Sequence, residues 1–229
     1  MKKNLMMRLA SFLLVAVLIS TSAISGTYAK YVTQNDSTDK ARVAKFGVTI
    51  EVDDETMFSD SYKDEATAYI EDEKVAEITV QADTEGTNVV APGTKGALAG
   101  FKVTGTPEVD VEVTYAATLT LDGWEVDGAE YCPITITVNK EQYFIGKTGI
   151  ATVDELEKAV EDAIVNSTAI YHTNTDLNTV NDDLAVSWEW PFYVSDDNDV
   201  KDTALGDAAA AGKAATIKLD ATMTITQVD

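Results

Sequence analysis

Alternation of apolar and polar residues marks several strands along this chain. The clearest run extends from Val109 to Leu121, where every second residue is apolar and most of the others are Asp, Glu or Thr. A period of two places the apolar side chains on one face of a strand. Shorter alternating segments occupy residues 42–52, 75–82, 95–104, 133–139, 184–194 and 215–225. The pattern predicts antiparallel sheets packed over an apolar core.

Two of these segments carry more detailed predictions. Asp122-Gly123 is a hairpin signal, so residues 124–126 and 133–139 are predicted to pair with the long strand before it. In the segment 184–194, Trp188 and Trp190 share the apolar face, which favours burial in the core over a platform for sugars. Pro191 has no N–H to donate, which predicts that this strand lies at a sheet edge or carries a bulge.

Helical periodicity is clear in one place. Thr152 is a suitable N-cap for a helix from Val153 to about Val165, with acidic residues in its first turn and an apolar stripe at helical spacing. Residues 195–202 are predicted to form an acidic loop. The predicted fold is therefore all-β: an antiparallel β-sandwich with one flanking helix.

The N-terminus has the layout of a secretory signal peptide. Lys2, Lys3 and Arg8 precede an apolar run, and small residues follow it up to Ala29. Cleavage is predicted between Ala29 and Lys30. This divides the chain into a signal peptide (1–29), a short polar N-terminal arm (30–41) and a β-sandwich domain (42–229).

Charge and cysteine content restrict the function. The full chain has 17 basic and 39 acidic residues, and removing the signal peptide takes away three basic residues, which leaves a net charge of −25. Nucleic acid is not an expected partner of so acidic a protein. Cys132 is the single cysteine, so no intramolecular disulfide can form; a buried thiol is expected, with an intermolecular bridge as the alternative.

No catalytic constellation can be assembled from the sequence. His172 is the one histidine, whereas a hydrolytic zinc site uses three protein ligands, of which histidine is the commonest. Carboxylates are abundant, but no pair stands out as a glycosidase acid and nucleophile. We therefore expect no enzymatic activity and no required cofactor.

One segment has the composition of a possible calcium site. Calcium takes six to eight oxygen ligands, and closely spaced acidic residues repel one another unless a cation offsets them. The five candidate ligands are Asp196, Asp197, Asn198, Asp199 and Asp202. A solvated acidic loop without a metal is the alternative.

Several motifs together resemble one protein family. They begin with the GTYA-KY junction at residues 26–31 and D-x-ARVAKFGV at residues 39–48. Further matching segments are APGTKG at 91–96, GTPEV at 105–109, YCP at 131–133, SWEWPF at 187–192 and DTALG at 202–206. In this order they resemble the TasA and camelysin family of bacterial biofilm-matrix proteins, whose precursors are cut by a SipW-type signal peptidase.

The resemblance implies a jelly-roll sandwich and a structural subunit of a matrix or surface fibre, secreted by a Gram-positive bacterium. It also implies that each subunit donates its arm as a strand to its neighbour, with Tyr31, Val32, Ala41 and Val43 as the apolar positions. Expected partners are other copies of the chain, the peptidase, and other matrix proteins or cell-wall glycans. The alternatives are a monomeric adhesin or carbohydrate-binding jelly roll, and a camelysin-like metalloprotease.

Overall fold

The computed structural model describes residues 41–52, 57–62, 66–70, 73–98, 101–180 and 184–228. The chain divides into two units, Met1–Val43 and Ala44–Asp229, and the second contains the folded domain. This domain is built mainly from β-sheet, as the sequence predicts. Its strands are β1 (Val48–Val52), β2 (Ala66–Ile70), β3 (Glu73–Ile78), β4 (Lys95–Leu98), β5 (Phe101–Gly105), β6 (Val111–Asp122), β7 (Glu125–Val126), β8 (Ala129–Glu130), β9 (Thr135–Val138), β10 (Glu141–Tyr143), β11 (Ala169–Tyr171), β12 (Val186–Glu189) and β13 (Thr216–Gln227).

All strand pairs among the described residues are antiparallel. The two larger sheets have the orders β10-β9-β12-β4 and β11-β6-β13, and three two-stranded sheets pair β1 with β5, β2 with β3, and β7 with β8. Inward-facing residues of β6, β9 and β12 belong to one buried cluster, which forms the core. The alternation of β6 is confirmed, since Val111, Val113, Tyr115, Leu119 and Leu121 are all buried.

The described residues contain two α-helices, α1 (Val153–Val165) and α2 (Asp196–Ala210), and one 3-10 helix, Leu177–Thr179. Helix α1 has the predicted bounds, and the Thr152 side chain accepts the Glu155 backbone N–H as its N-cap. The prediction of a single flanking helix is wrong, because the segment assigned to an acidic loop forms α2. Ser195 caps this helix, and its acidic first turn is favoured by the helix dipole.

Three predictions of strand arrangement are also wrong. Strand β9 pairs with β10 and β12, and residues 125–126 pair with β8, so neither segment pairs with β6. Strand β12 lies between β9 and β4 in the interior of its sheet, because it ends at Glu189, before Pro191 breaks the ladder. Strand β1 begins at Val48, six residues after the predicted start; Gly47 before it has φ of 65°.

A glycine and a tryptophan show how closely the core is packed. The Trp188 indole N–H donates to the Met57 carbonyl at 2.8 Å. A side chain at Gly96 would collide with that carbonyl and with the indole nitrogen, so only glycine permits this approach. The predicted burial of Trp188, Trp190 and Cys132 is confirmed.

Candidate functional site

Strand β13 forms one edge of its sheet. It pairs with β6 along all twelve of its residues, and within the described part of the chain no other strand pairs with it. Its inward-facing residues pack only partly into the core: Met223 is buried, but Ile217, Leu219, Ala221 and Ile225 are half-buried. Within the described residues, the sheet is therefore open along a twelve-residue strand.

The pairing register shows which backbone groups of β13 face outward. The Val228 N–H donates to the Asp110 carbonyl directly opposite, so even-numbered residues of β13 point their backbone groups toward β6. The odd-numbered residues then point their N–H and C=O groups away from β6. We call these outward groups the free edge of β13; they belong to Ile217, Leu219, Ala221, Met223, Ile225 and Gln227.

The opposite side of β6 is closed by different means. Strand β11 pairs only with residues 111–113 of β6. Further along, two carboxylates of α1 take the exposed backbone donors: Glu161 accepts the Leu119 N–H at 2.9 Å, and Glu157 accepts the Leu121 N–H at 2.6 Å. A helix thus covers part of one edge of the sheet, while no described segment covers the other edge, along β13.

An apolar cavity of about 670 Å³ lies beside the first residues of β13, and we call it the β13 cavity. Its size falls within the range of about 300 to 1,000 Å³ typical of ligand sites. Its walls are formed by the loop 87–92, by Trp124 and Trp190, by helix α2, and by the start of β13 with the residues before it. The principal lining residues are Val89, Val90, Pro92, Trp124, Trp190, Asp202, Leu205, Gly206, Ala209, Ala215, Ile217 and Leu219.

The indole rings of Trp124 and Trp190 line one wall of the β13 cavity, and their N–H groups differ in hydrogen bonding. The rings of Trp124 and Trp190 meet edge to face, with centroids 5.3 Å apart. The Trp124 N–H donates to the Thr216 carbonyl at 2.8 Å. The Trp190 N–H is buried and meets no acceptor in hydrogen-bonding geometry among the described residues. Such a group is costly to bury, and the Asp202 carboxylate lies close to this donor without meeting hydrogen-bonding geometry.

Asp202 supplies a carboxylate to the same wall. Tyr131 donates its hydroxyl to Asp202 at 2.7 Å, and Asn198 donates its amide to the Tyr131 oxygen at 3.1 Å. Burial raises the pKa of Asp202, and the bond from Tyr131 and the nearby indole of Trp190 partly offset this. Burial and the bond to Asp202 also raise the pKa of Tyr131.

The five predicted calcium ligands lie in or near the first two turns of α2. Asp196 accepts from the Tyr193 hydroxyl, Asp197 pairs with Lys201, and Asn198 and Asp202 both bond to Tyr131. No group of three or more His, Cys, Asp or Glu residues placed to hold a metal occurs among the described residues. Calcium binding by this segment stays a prediction.

The remaining predicted residues separate into two groups. Ala29, Lys30, Tyr31 and Val32 lie outside the described residues. Ala41 and Val43 have no regular secondary structure and are exposed, Val43 by 91%. Of the lining residues named above, Asp202 alone was a predicted site residue, as a calcium ligand. The others were not predicted as a site, and the alternation of residues 184–194 treats Trp188 and Trp190 alike. Trp124, the third tryptophan of the chain, is buried as well.

His172, the one histidine, is an exposed residue. Its Nδ1 lies 3.0 Å from a carboxylate oxygen of Asp110, and Asp110 also accepts the Thr173 backbone N–H. These bonds lower the pKa of Asp110, and the bond with His172 has the largest effect. The arrangement fastens the start of β6 to the turn after β11.

Comparisons of the chain with protein-family models, with curated proteins and with solved structures found no match. Among the described residues, no helix combines the length and apolar character needed to cross a bilayer.

Proposed function

We propose that the mature chain is a secreted structural subunit of an extracellular matrix or surface fibre of a Gram-positive bacterium. In this proposal the N-terminal arm of one subunit, residues 30–41, adds as a strand to the free edge of β13 in the next. The observation that carries the proposal is the free edge itself, which is twelve residues long. Exposed edges are normally shortened, charged or covered, and this sheet has its other edge covered by α1.

Strand addition satisfies the outward backbone groups of β13 and uses a known mode of peptide recognition. Each ordered arm residue costs about 1 to 2 kcal/mol of backbone entropy, and each new hydrogen bond contributes about 1 kcal/mol net. Backbone pairing alone therefore does not hold two subunits together. Side chains of the arm must bury apolar surface, and the half-buried residues of β13 offer such a surface.

The proposed contact is heterologous, because the arm of one subunit meets the edge of another. Contacts of this kind extend into filaments unless the rotation between subunits closes a ring. Export and cleavage by a SipW-type signal peptidase would control the process, since an arm still joined to its signal peptide remains at the membrane. The acidic surface of the mature protein would keep subunits apart before assembly.

Electron microscopy and size-exclusion chromatography of the mature protein, residues 30–229, test the proposal. We expect fibres from the mature protein and monomers when residues 30–40 are deleted. A matched control replaces those residues with a Gly-Ser segment of equal length, which preserves chain length and should also stay monomeric. Equal polymerisation of all three proteins, or a mature protein that is monomeric at every salt concentration, would contradict the proposal.

Calcium is proposed as an aid to assembly through Asp196, Asp197, Asn198, Asp199 and Asp202. Close contact between acidic subunits is opposed by repulsion over a screening length of about 8 Å at physiological salt, and a bound cation would reduce it. Fibre yield should rise with calcium and fall with a chelator. The same response to magnesium or to sodium at equal ionic strength would indicate screening without a site.

A further inference from the structure

The β13 cavity adjoins the free edge of β13. Residues 216–219 line the cavity, and the outward backbone groups of Ile217 and Leu219 belong to the free edge. A strand paired at this point would direct alternate side chains toward the same side as Ile217 and Leu219. Those side chains would enter the cavity.

We propose that the β13 cavity receives the side chain of Tyr31 from the arm of a neighbouring copy. This inference rests on the proposed function and names the anchor that backbone pairing alone lacks. Tyr31 is the only aromatic residue of the arm, residues 30–41, and the polar run from Thr33 to Lys40 offers no comparable apolar side chain. Aromatic side chains bury the largest apolar area per residue, which suits a cavity walled by indoles.

The polar groups of the cavity fit a phenol. A tyrosine hydroxyl donates one hydrogen bond and accepts others. Beside the indole wall it would donate to the Asp202 carboxylate, and its oxygen would give the Trp190 N–H the acceptor that it lacks among the described residues. An aliphatic side chain would fill space but would leave this donor unmet.

The charges around the cavity also favour the N-terminal arm as its occupant. The first two turns of α2 carry Asp196, Asp197, Asp199 and Asp202. The predicted cut before Lys30 places a lysine and a new α-amino group immediately before Tyr31. The basic end of the arm and the acidic start of α2 are therefore complementary.

The arm of the same copy is the competing occupant. Lys45 is bonded to Glu108, near the Gln227 end of β13, whereas the cavity lies at the Thr216 end, about 37 Å away along the strand. Tyr31 precedes Lys45 by 14 residues, which span at most about 50 Å. Self-insertion is therefore within reach of the arm, but only in parallel pairing, the slightly less stable arrangement. A neighbouring arm can pair antiparallel.

Filling the cavity provides the first test. A Cβ at Gly206 would meet no atom within 4 Å, so Gly206→Leu should extend into the cavity from α2 without disturbing the fold. Gly206→Ala is the matched control, because it makes the same backbone change and leaves most of the cavity empty. We expect Gly206→Leu to raise the concentration needed for assembly at least about tenfold and Gly206→Ala to leave it nearly unchanged.

The arm provides the second test. Tyr31→Ala should raise the assembly concentration about tenfold or more, and Tyr31→Phe by roughly threefold to tenfold because it keeps the ring and loses the hydroxyl. Val32→Ala, on the opposite face of the added strand, should have less effect. If deletion of residues 30–40 prevents assembly but Tyr31→Ala and Gly206→Leu assemble normally, this inference is wrong and the proposed function stands. If the deletion itself has no effect, the proposed function fails.

Mixing tests whether the arm of one copy can occupy the cavity of another copy. The Gly206→Leu protein keeps its arm and loses the cavity, whereas the protein without residues 30–40 keeps the cavity and loses its arm. At a protein concentration below that at which Gly206→Leu assembles, each alone should be monomeric, and their mixture should form a 1:1 heterodimer in analytical ultracentrifugation. Circular dichroism must show both to be folded. Folded proteins that form no heterodimer would overturn the inference.

Discussion

The Glu157 carboxylate accepts the backbone N–H of Leu121 at 2.6 Å, which joins α1 directly to the edge of β6. Glu161 makes the equivalent bond to Leu119 one turn further along the helix. Both donors point away from β13, because odd-numbered residues of β6 face the opposite side of the strand. The two glutamates therefore act as substitutes for a neighbouring strand.

Removing this acceptor should destabilise the domain. Glu157→Ala leaves the Leu121 N–H without its partner, which we expect to lower the free energy of unfolding by about 1 to 3 kcal/mol. Glu157→Gln retains an acceptor oxygen and should cost less. Urea denaturation measures both effects.

Lys158→Ala is the control for this substitution, since Lys158 pairs with Asp162 on the exposed side of α1. Exposed pairs at this spacing contribute about 0.3 to 0.5 kcal/mol. An effect of Glu157→Ala no larger than that of Lys158→Ala would show that the bond to Leu121 contributes little.

A proline can block the free edge of β13 without removing a bond to β6. Ala221 points its N–H outward, so Ala221→Pro removes a donor of the free edge and leaves the ladder with β6 intact. We expect a folded protein that no longer accepts an arm. Size-exclusion chromatography with circular dichroism reports both properties.

The neighbouring position supplies the matched control. Thr222 points its N–H toward β6, so Thr222→Pro removes a ladder hydrogen bond and should unfold or strongly destabilise the domain. Fibres formed by Ala221→Pro in normal yield would show that the free edge is not the acceptor.

The sequence predicts single elements better than it predicts their pairing. The period of β6 and the cap and stripe of α1 are local properties, and both elements form as predicted. Partner choice is not local: Ile136 alternates correctly but pairs with Trp188 of β12 and with Tyr143 of β10. Helix α2 lacks an apolar stripe, since Leu205 is its one fully buried residue, so its acidic start resembled a loop.

The candidate site is harder still to predict from sequence. The β13 cavity combines residues from the loop 87–92, the two turns around Trp124 and Trp190, α2 and β13. These segments lie between residues 87 and 219 and meet only through the tertiary fold. No local pattern distinguishes Trp190, whose N–H has no acceptor among the described residues, from Trp188, whose N–H has one.

Replacing Asp202 or Asp110 by asparagine should change the stability of the domain in opposite directions at neutral pH. The pKa of Asp202 is raised above its ordinary value of 3.8, so the folded state disfavours its charge at neutral pH. Asp202→Asn should therefore stabilise the domain at neutral pH, by an amount that disappears as the pH falls below 3.8. The amide oxygen can still accept the Tyr131 hydroxyl.

Asp110 is the counterpart, because its pKa is lowered by His172 and by the Thr173 N–H. Its charge stabilises the folded state above pH 3.8, and this contribution is lost as the pH falls through the lowered pKa. Asp110→Asn should thus destabilise the domain at neutral pH and have no effect in strong acid. Thermal melts of both variants between pH 2.5 and 7 measure the two trends, and trends of equal sign would contradict the assignment.

Replacing each core tryptophan by phenylalanine isolates the effect of the indole N–H. Both Trp188 and Trp190 are buried, so the two substitutions remove similar apolar area. Trp188→Phe also removes the donor to the Met57 carbonyl, whereas Trp190→Phe removes a donor without an acceptor among the described residues. We expect Trp188→Phe to lower the free energy of unfolding by about 1 to 3 kcal/mol more than Trp190→Phe. Equal losses in urea denaturation would show that the Trp190 N–H is satisfied in solution, and the cavity would then lose the unmet donor that favours a phenol.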